Sequence, residues 1–360
     1  MWQTAPGTAI SICTQGARVG AADLELINMY CSITSRSMPF ANVRDQPWQS
    51  HTFDISCQNP YLYHITLAMA AAHQRHLREC SAPSTIETDH LCKAISLYRT
   101  VISTPDPSGF PISTSADVRA VFAASTLLVA YLWCCPQDDI YTNVSVLTGS
   151  KYLVRAFWAR PEFGTIYHSM AIHHPYWADI YTSFEIGEYR IPALEMLFPG
   201  RDIYLQENIL VSAEAPLVDQ TQVTDIGSVT RLAVVITVIS SRRKIERRIF
   251  SMLVKIVFAW VAACNPVFSI RVKQKEPKAY MLAAYYFVVV WKVARLARRY
   301  ENEPSSNADE EFIIGDDPSR TWWLTPGPRS LCKKIVDELG AELEEWLGWV
   351  KDTINELEGE

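Results

Sequence analysis

The sequence predicts an all-α protein built as one irregular multi-helix domain. Three observations predict it. Apolar residues recur at three- and four-residue spacing along most of the 360 residues, strand-like alternation is scarce, and only 14 residues are glycine, too few for a turn-rich β fold. The chain is 49% hydrophobic and 20% charged, so it can bury a sizeable core, which excludes global disorder. Its 33 basic and 39 acidic residues leave a net charge of −6. No overall basic field exists to hold a phosphate backbone, which argues against non-specific nucleic-acid binding by the whole chain.

Residues 1–20 read as an N-terminal tail. They have no basic start and no apolar run of signal-peptide length. Residues 21–360 read as the helical domain. Asp23 is placed to cap a helix carrying Leu24, Ile27, Tyr30 and Cys31. Asn59-Pro60 opens the next helix, a polar cap before a proline at the first helical position. Its inward stripe is Tyr61, Leu62, Ile65, Ala68, Met69 and Ala72. A third helix is expected over 88–101, with Leu91, Ile95, Tyr98 and Ile102 on one face. Prolines among serines and threonines make 103–116 a loop. Asp117 then starts an apolar helix over 118–133, ended by Cys135-Pro136. Its small residues Ala120, Ala123, Ala124, Ser125 and Ala130 permit close packing.

A helix with Tyr152, Leu153, Ala156 and Phe157 follows Gly149 and runs to Pro161, whereas 192–226 shows no clear pattern. Helices resume at Ser228 and continue with interruptions to Val267. Pro277 opens another through Tyr300, and 301–317 is an acidic loop. Leu331, Ile335, Leu339, Leu343, Trp346, Val350, Ile354 and Leu357 then form one continuous face, which Gly340 and Gly348 interrupt in propensity only. The longest apolar stretches, 279–291 and 232–239, fall short of the ~18–20 residues a membrane helix needs, so no membrane span is expected.

Nine cysteines show no zinc or redox spacing and read as buried reduced thiols of an intracellular protein. His73 and His76 stand three apart, with Glu79 three further. That spacing could present metal ligands, but Gln74, Arg75 and Arg78 surround it, so it reads as a solvated helix end. His168, His173 and His174 cluster before Pro175 without the glutamate of a metalloprotease helix. No metal or cofactor is expected. Asp138-Asp139 invites comparison with class I terpene synthases, whose aspartates hold magnesium and diphosphate. The third acid is missing, and after Asp179 the glutamate comes one position early, at Glu185. The pair reads as a polar loop. No nucleophile elbow and no phosphate-binding glycine motif is present.

Two features remain. Arg242, Arg243, Lys244, Arg247 and Arg248 put five cations in seven residues, a candidate nuclear-import run or a solvated connector between apolar helices. Six of eleven tryptophans follow residue 259; such large rigid rings line ligand cavities and ordinary cores alike.

Several segments in chain order resemble one known family. Asp23-Leu24-Glu25-Leu26 heads the first helix, then come Trp48-Gln49, Asn59-Pro60-Tyr61-Leu62-Tyr63-His64 and Leu67-Ala68-Met69-Ala70-Ala71-Ala72-His73. Val121-Phe122-Ala123-Ala124-Ser125 follows the proline-rich loop, and Gly149-Ser150-Lys151-Tyr152-Leu153-Val154-Arg155 comes next. Ala279-Tyr280-Met281-Leu282-Ala283-Ala284-Tyr285-Tyr286 precedes Trp322-Trp323-Leu324, with Trp346-Leu347-Gly348-Trp349 near the end. Over roughly 21–351 the chain resembles the regulatory domain of fungal Zn(2)-Cys(6) transcription factors, in the subgroup of the sterol-uptake regulators.

The resemblance implies a helical regulatory domain with an apolar internal pocket near the last helices. Tyr285, Tyr286, Trp291, Trp322 and Trp323 are its candidate lining. It implies a transcription regulator of a fungal sterol or secondary-metabolite pathway, acting in the nucleus or shuttling to it. Its partners would be an apolar small molecule, sterol-like or a pathway metabolite, and proteins of transcription. The family's zinc cluster needs six cysteines in two C-x2-C-x6-C groups. These 360 residues have no such spacing, which weighs against direct DNA binding. The resemblance to a regulatory domain implies a non-enzyme. The alternative is an enzyme of cyclase or isomerase type that reuses an all-α apolar pocket.

Overall fold

The computed structural model describes residues 20–38, 48, 52–103, 118–135, 140, 141, 144, 177–184, 186, 190–205, 226–241, 243, 245, 246, 249, 250, 253, 254, 256, 257, 260, 264, 266–301, 322, 323 and 326–359. Among these residues 83% are helical and none forms a strand, so the fold is all-α. They group into two compact units, one within Met1–Ser35 and Pro47–Ala124, the other within Arg36–Gln46 and Ser125–Glu360.

In the first unit, α1 (Ala21–Met29) begins after an extended Gly20, and Asp23 lies inside its first turn rather than capping it. A π turn, Tyr30–Thr34, follows. Leu26, Ile27 and Tyr30 are buried, whereas Leu24 is 50% exposed. Leu24, in the first turn of α1, faces solvent, and the wider turn then rotates the residues after Tyr30, which leaves Cys31 only half-buried. The short α2 (Thr52–Ser56) leads to α3 (Pro60–Leu77), which opens at the expected Asn59-Pro60 step. All six expected inward residues of α3 are buried, and so are Thr66, Leu67, Ala70, Ala71 and His73. His73 is fully buried and its Nδ1 lies 3.1 Å from Thr34 Oγ1. It belongs to the core, contrary to a solvated helix end; only His76 and Glu79 of that trio are exposed.

Helix α4 (Thr85–Ser103) is longer than expected at both ends. Ser84 and Glu87 explain its start: the Glu87 backbone N–H donates to Ser84 Oγ at 3.1 Å, half of a capping box. Its buried stripe is Glu87, His90, Ala94 and Tyr98, of which Tyr98 alone was on the expected face. The polar members are paired. Arg75 Nε sits 3.0 Å from Glu87 Oε2. His90 Nδ1 faces His64 Nδ1 at 2.9 Å, and His90 Nε2 lies 3.5 Å from Asp23 Oδ1. With the Nε2 proton turned to that carboxylate, His90 Nδ1 accepts and His64 Nδ1–H donates. Burial pushes both imidazoles below their ordinary pKa, His64 to about 4.

Helix α5 (Val118–Cys134) ends where Cys135 precedes proline, and its expected small residues are buried. In the second unit, α6 (Trp177–Phe184) packs on α8 (Ile226–Ser240), while α7 (Pro192–Glu195) is one turn opened by proline. Every residue of α8 from Gly227 to Ile239 is buried. After α9 (Pro266–Lys273) comes α10 (Pro277–Glu301), buried from Ala279 to Ala294. It packs on α8, α9 and, most extensively, α11 (Pro326–Leu339). The expected continuous last face is broken. A 3-10 segment, Gly340–Trp346, separates α11 from α12 (Gly348–Gly359), and Leu343 leaves helical geometry at φ −119°. The two glycines, whose freedom costs a helix most, stand at the breaks.

Pro277–Ala297 is long and apolar enough to cross a membrane, which the run over 279–291 alone did not suggest; 83% of its apolar window is buried inside the protein, as in a core helix. Of the cysteines, Cys134, Cys135, Cys264 and Cys332 are buried thiols, Cys31 and Cys57 are half-buried, and Cys80 and Cys92 are exposed. Cys13, Asp138, Asp139, Glu185, the cluster at His168, His173 and His174, the helix expected after Gly149, and nearly all of the loops 103–116 and 301–317 lie outside the described residues.

Candidate functional site

The five aromatic residues expected to line a pocket all belong to the second unit and are all buried. Three lie on α10. Successive helical residues turn by about 100°, so Tyr285 and Tyr286 face different neighbours. The Tyr285 ring stacks on Trp349 at 5.4 Å, and its hydroxyl donates to the Trp346 carbonyl at 2.8 Å. The Tyr286 ring stacks on Trp260 at 4.7 Å, and its hydroxyl donates to the Val257 carbonyl at 3.3 Å. Burial holds the Tyr286 hydroxyl well above its ordinary pKa, so it remains a neutral donor. Trp260 is itself anchored, its indole N–H donating to the Ser228 carbonyl at 2.5 Å.

Trp322 and Trp323 converge on one residue. Their indole N–H groups donate to Ser37 Oγ at 3.0 Å and to the Ser37 carbonyl at 2.8 Å. Trp323 also stacks on Trp133, with 5.8 Å between ring centroids and 6° between planes. At the far end of this layer α11 starts against α5. A Cβ on Gly327 would fall 2.4 Å from the Trp133 carbonyl oxygen, so only glycine fits.

Trp291 differs from the other four. It is 1% exposed, and its indole N–H has no hydrogen-bond partner. Arg329 lies over the ring, 5.6 Å from its centroid. The structure thus brings Trp322 and Trp323 together on Ser37 but sends Tyr285, Tyr286 and Trp291 to three separate neighbours. Four of the five spend their polar atoms on the protein.

Sequence reading missed the charged residues beside Trp291. Lys292 is nearly buried on α10 and pairs with Glu356 of α12 at 2.9 Å. Arg295 donates to the Leu357 carbonyl at 3.0 Å, and Arg329 and Lys333 of α11 both reach Glu358. The spacing of Lys292, Arg295 and Arg329 was visible, but an apolar stripe draws the eye past a cation inside it. Of the basic run, Arg242, Lys244, Arg247 and Arg248 lie outside the described residues. Arg243 donates to the Ser183 carbonyl. Among the described residues no group of three His, Cys, Asp or Glu side chains is placed to hold a metal. No protein-family model matches this chain, and no characterised protein resembles it at a significant level.

Proposed function

We propose that the chain is a helical regulatory domain of a transcription regulator, which takes an apolar small molecule or a protein partner and acts in the nucleus on a fungal metabolic pathway. The observation that supports this reading is the order of the family-like segments. Tyr61–His73 falls on α3, Val121–Ser125 on α5 and Ala279–Tyr286 on α10, with the paired tryptophans at 322 and 323 and at 346 and 349 following. DNA contact is left to a partner, because these 360 residues lack the paired C-x2-C-x6-C spacing. A sterol-like molecule or a pathway metabolite gates output only if two conformations bind it unequally. The packing of α10 on α11 and α12 is the element such a guest would shift.

The test is a reporter assay. The full chain is fused to an unrelated DNA-binding module, and transcription is read with and without a fluorescent sterol, whose binding is measured in parallel. Reporter output that changes with sterol is the expected result. Output unaffected by the fusion under all conditions overturns the regulatory reading. Loss of pathway products on gene deletion with transcripts unchanged transfers the chain to the enzyme class.

A further inference from the structure

Two buried donors on α10 have no acceptor. The Trp291 indole N–H and the Arg295 Nε–H are shielded from solvent and meet no hydrogen-bond partner. They stand four residues apart, so they share one helix face. A buried donor left unpaired costs about 1–3 kcal/mol, more when charged, and few native groups are left so. Two on one face mark a place where an acceptor belongs.

The surrounding charge says which acceptor. Lys292, Arg295, Arg329 and Lys333 meet at the crossing of α10, α11 and α12, against Glu356 and Glu358. Among the described residues, four cations face two carboxylates there, a surplus of two positive charges. Arg329, half exposed, lies over the Trp291 ring and links it to the surface. Val288, Val290 and Ala294 beside it on α10 are apolar and buried.

We propose that this junction binds the carboxylate of an apolar organic acid, with the Trp291 and Arg295 N–H groups as donors to its two oxygens and the Trp291 ring against its tail. Two donors match a carboxylate's pair of oxygens. A phosphate would bring a further oxygen, for which no third orphan donor stands on this face among the described residues. The inference rests on the ligand-binding part of the reading above and names the ligand's chemical class.

The experiment uses the full chain with dansylaminoundecanoic acid and its methyl ester, followed by dansyl fluorescence. The acid binds and the ester does not. Trp291→Phe and Arg295→Gln each weaken the acid about tenfold or more, the loss of one charge-assisted hydrogen bond, while the remote surface change Lys93→Gln leaves it unaltered. Circular dichroism checks folding. If a variant fails to fold, the wild-type indole N–H resonance of Trp291 still reports, shifting on addition of the acid. Equal binding of acid and ester, acid binding indifferent to both variants, or an unmoved Trp291 resonance overturns the inference. Sterol binding with no acid binding overturns it too, yet leaves the regulatory reading standing. Acid binding with a silent reporter does the reverse.

Discussion

His64 and His90 share one proton between facing Nδ1 atoms 2.9 Å apart, and there is no room for two. The folded pair therefore takes up protons at lower pH than the unfolded chain does. Stability is present above the ordinary histidine pKa near 6.5 and falls as pH drops from there toward 4, where the folded state begins to protonate as well. Asp23 and Asp89 favour the charged form and Lys93 opposes it. We expect the urea midpoint to fall between pH 7 and pH 5 and the slope to flatten in the double variant His64→Gln, His90→Gln. The Arg75–Glu87 pair predicts a larger single effect. Glu87 is fully buried and accepts from Arg75 Nε and Nη2, so Glu87→Ala removes charge-assisted hydrogen bonds from the helix crossing and should cost about 1.5–3 kcal/mol, measurable by denaturant unfolding at neutral pH.

At the scale of elements, two glycines make opposite predictions. Gly327→Ala drives a Cβ into the Trp133 carbonyl, and neither backbone can yield cheaply. It should cost about 1–3 kcal/mol or more and loosen the stack of Trp133 on Trp323, read as a change in tryptophan fluorescence. Gly348→Ala, at the start of α12, meets nothing within 4 Å and should stabilise by about 0.4–1 kcal/mol through the unfolded chain. Legibility followed the same lines. Helix α3 could be read because Asn59-Pro60 and an apolar stripe agree. The core face of α4 could not, since Glu87 and His90 occupy positions a hydrophobic pattern skips. The breaks at Gly340 and Gly348 were under-read because the apolar period continues through them. Ser37 could not be foreseen as the acceptor of two indoles, for it stands 285 and 286 residues away.

For the molecule as a whole, the helical class followed from periodicity, and the grouping into two units followed from nothing in the chain's composition. The facing imidazoles belong to the first unit and the tryptophan layer to the second. Hydrogen exchange corrected for intrinsic rate should therefore show α3 and α4 losing protection between pH 7 and pH 5 while α10 and α11 keep theirs. Uniform loss would contradict this.

Helix α10 carries a consequence for synthesis. Its oily middle is made before α11 and α12, the segments that lie against it, have left the ribosome. During that interval the nascent chain shows the cell a stretch with the length and apolarity of a membrane span. Soluble yield should therefore rise when chaperones that bind apolar nascent segments are co-expressed, which a side-by-side expression measures.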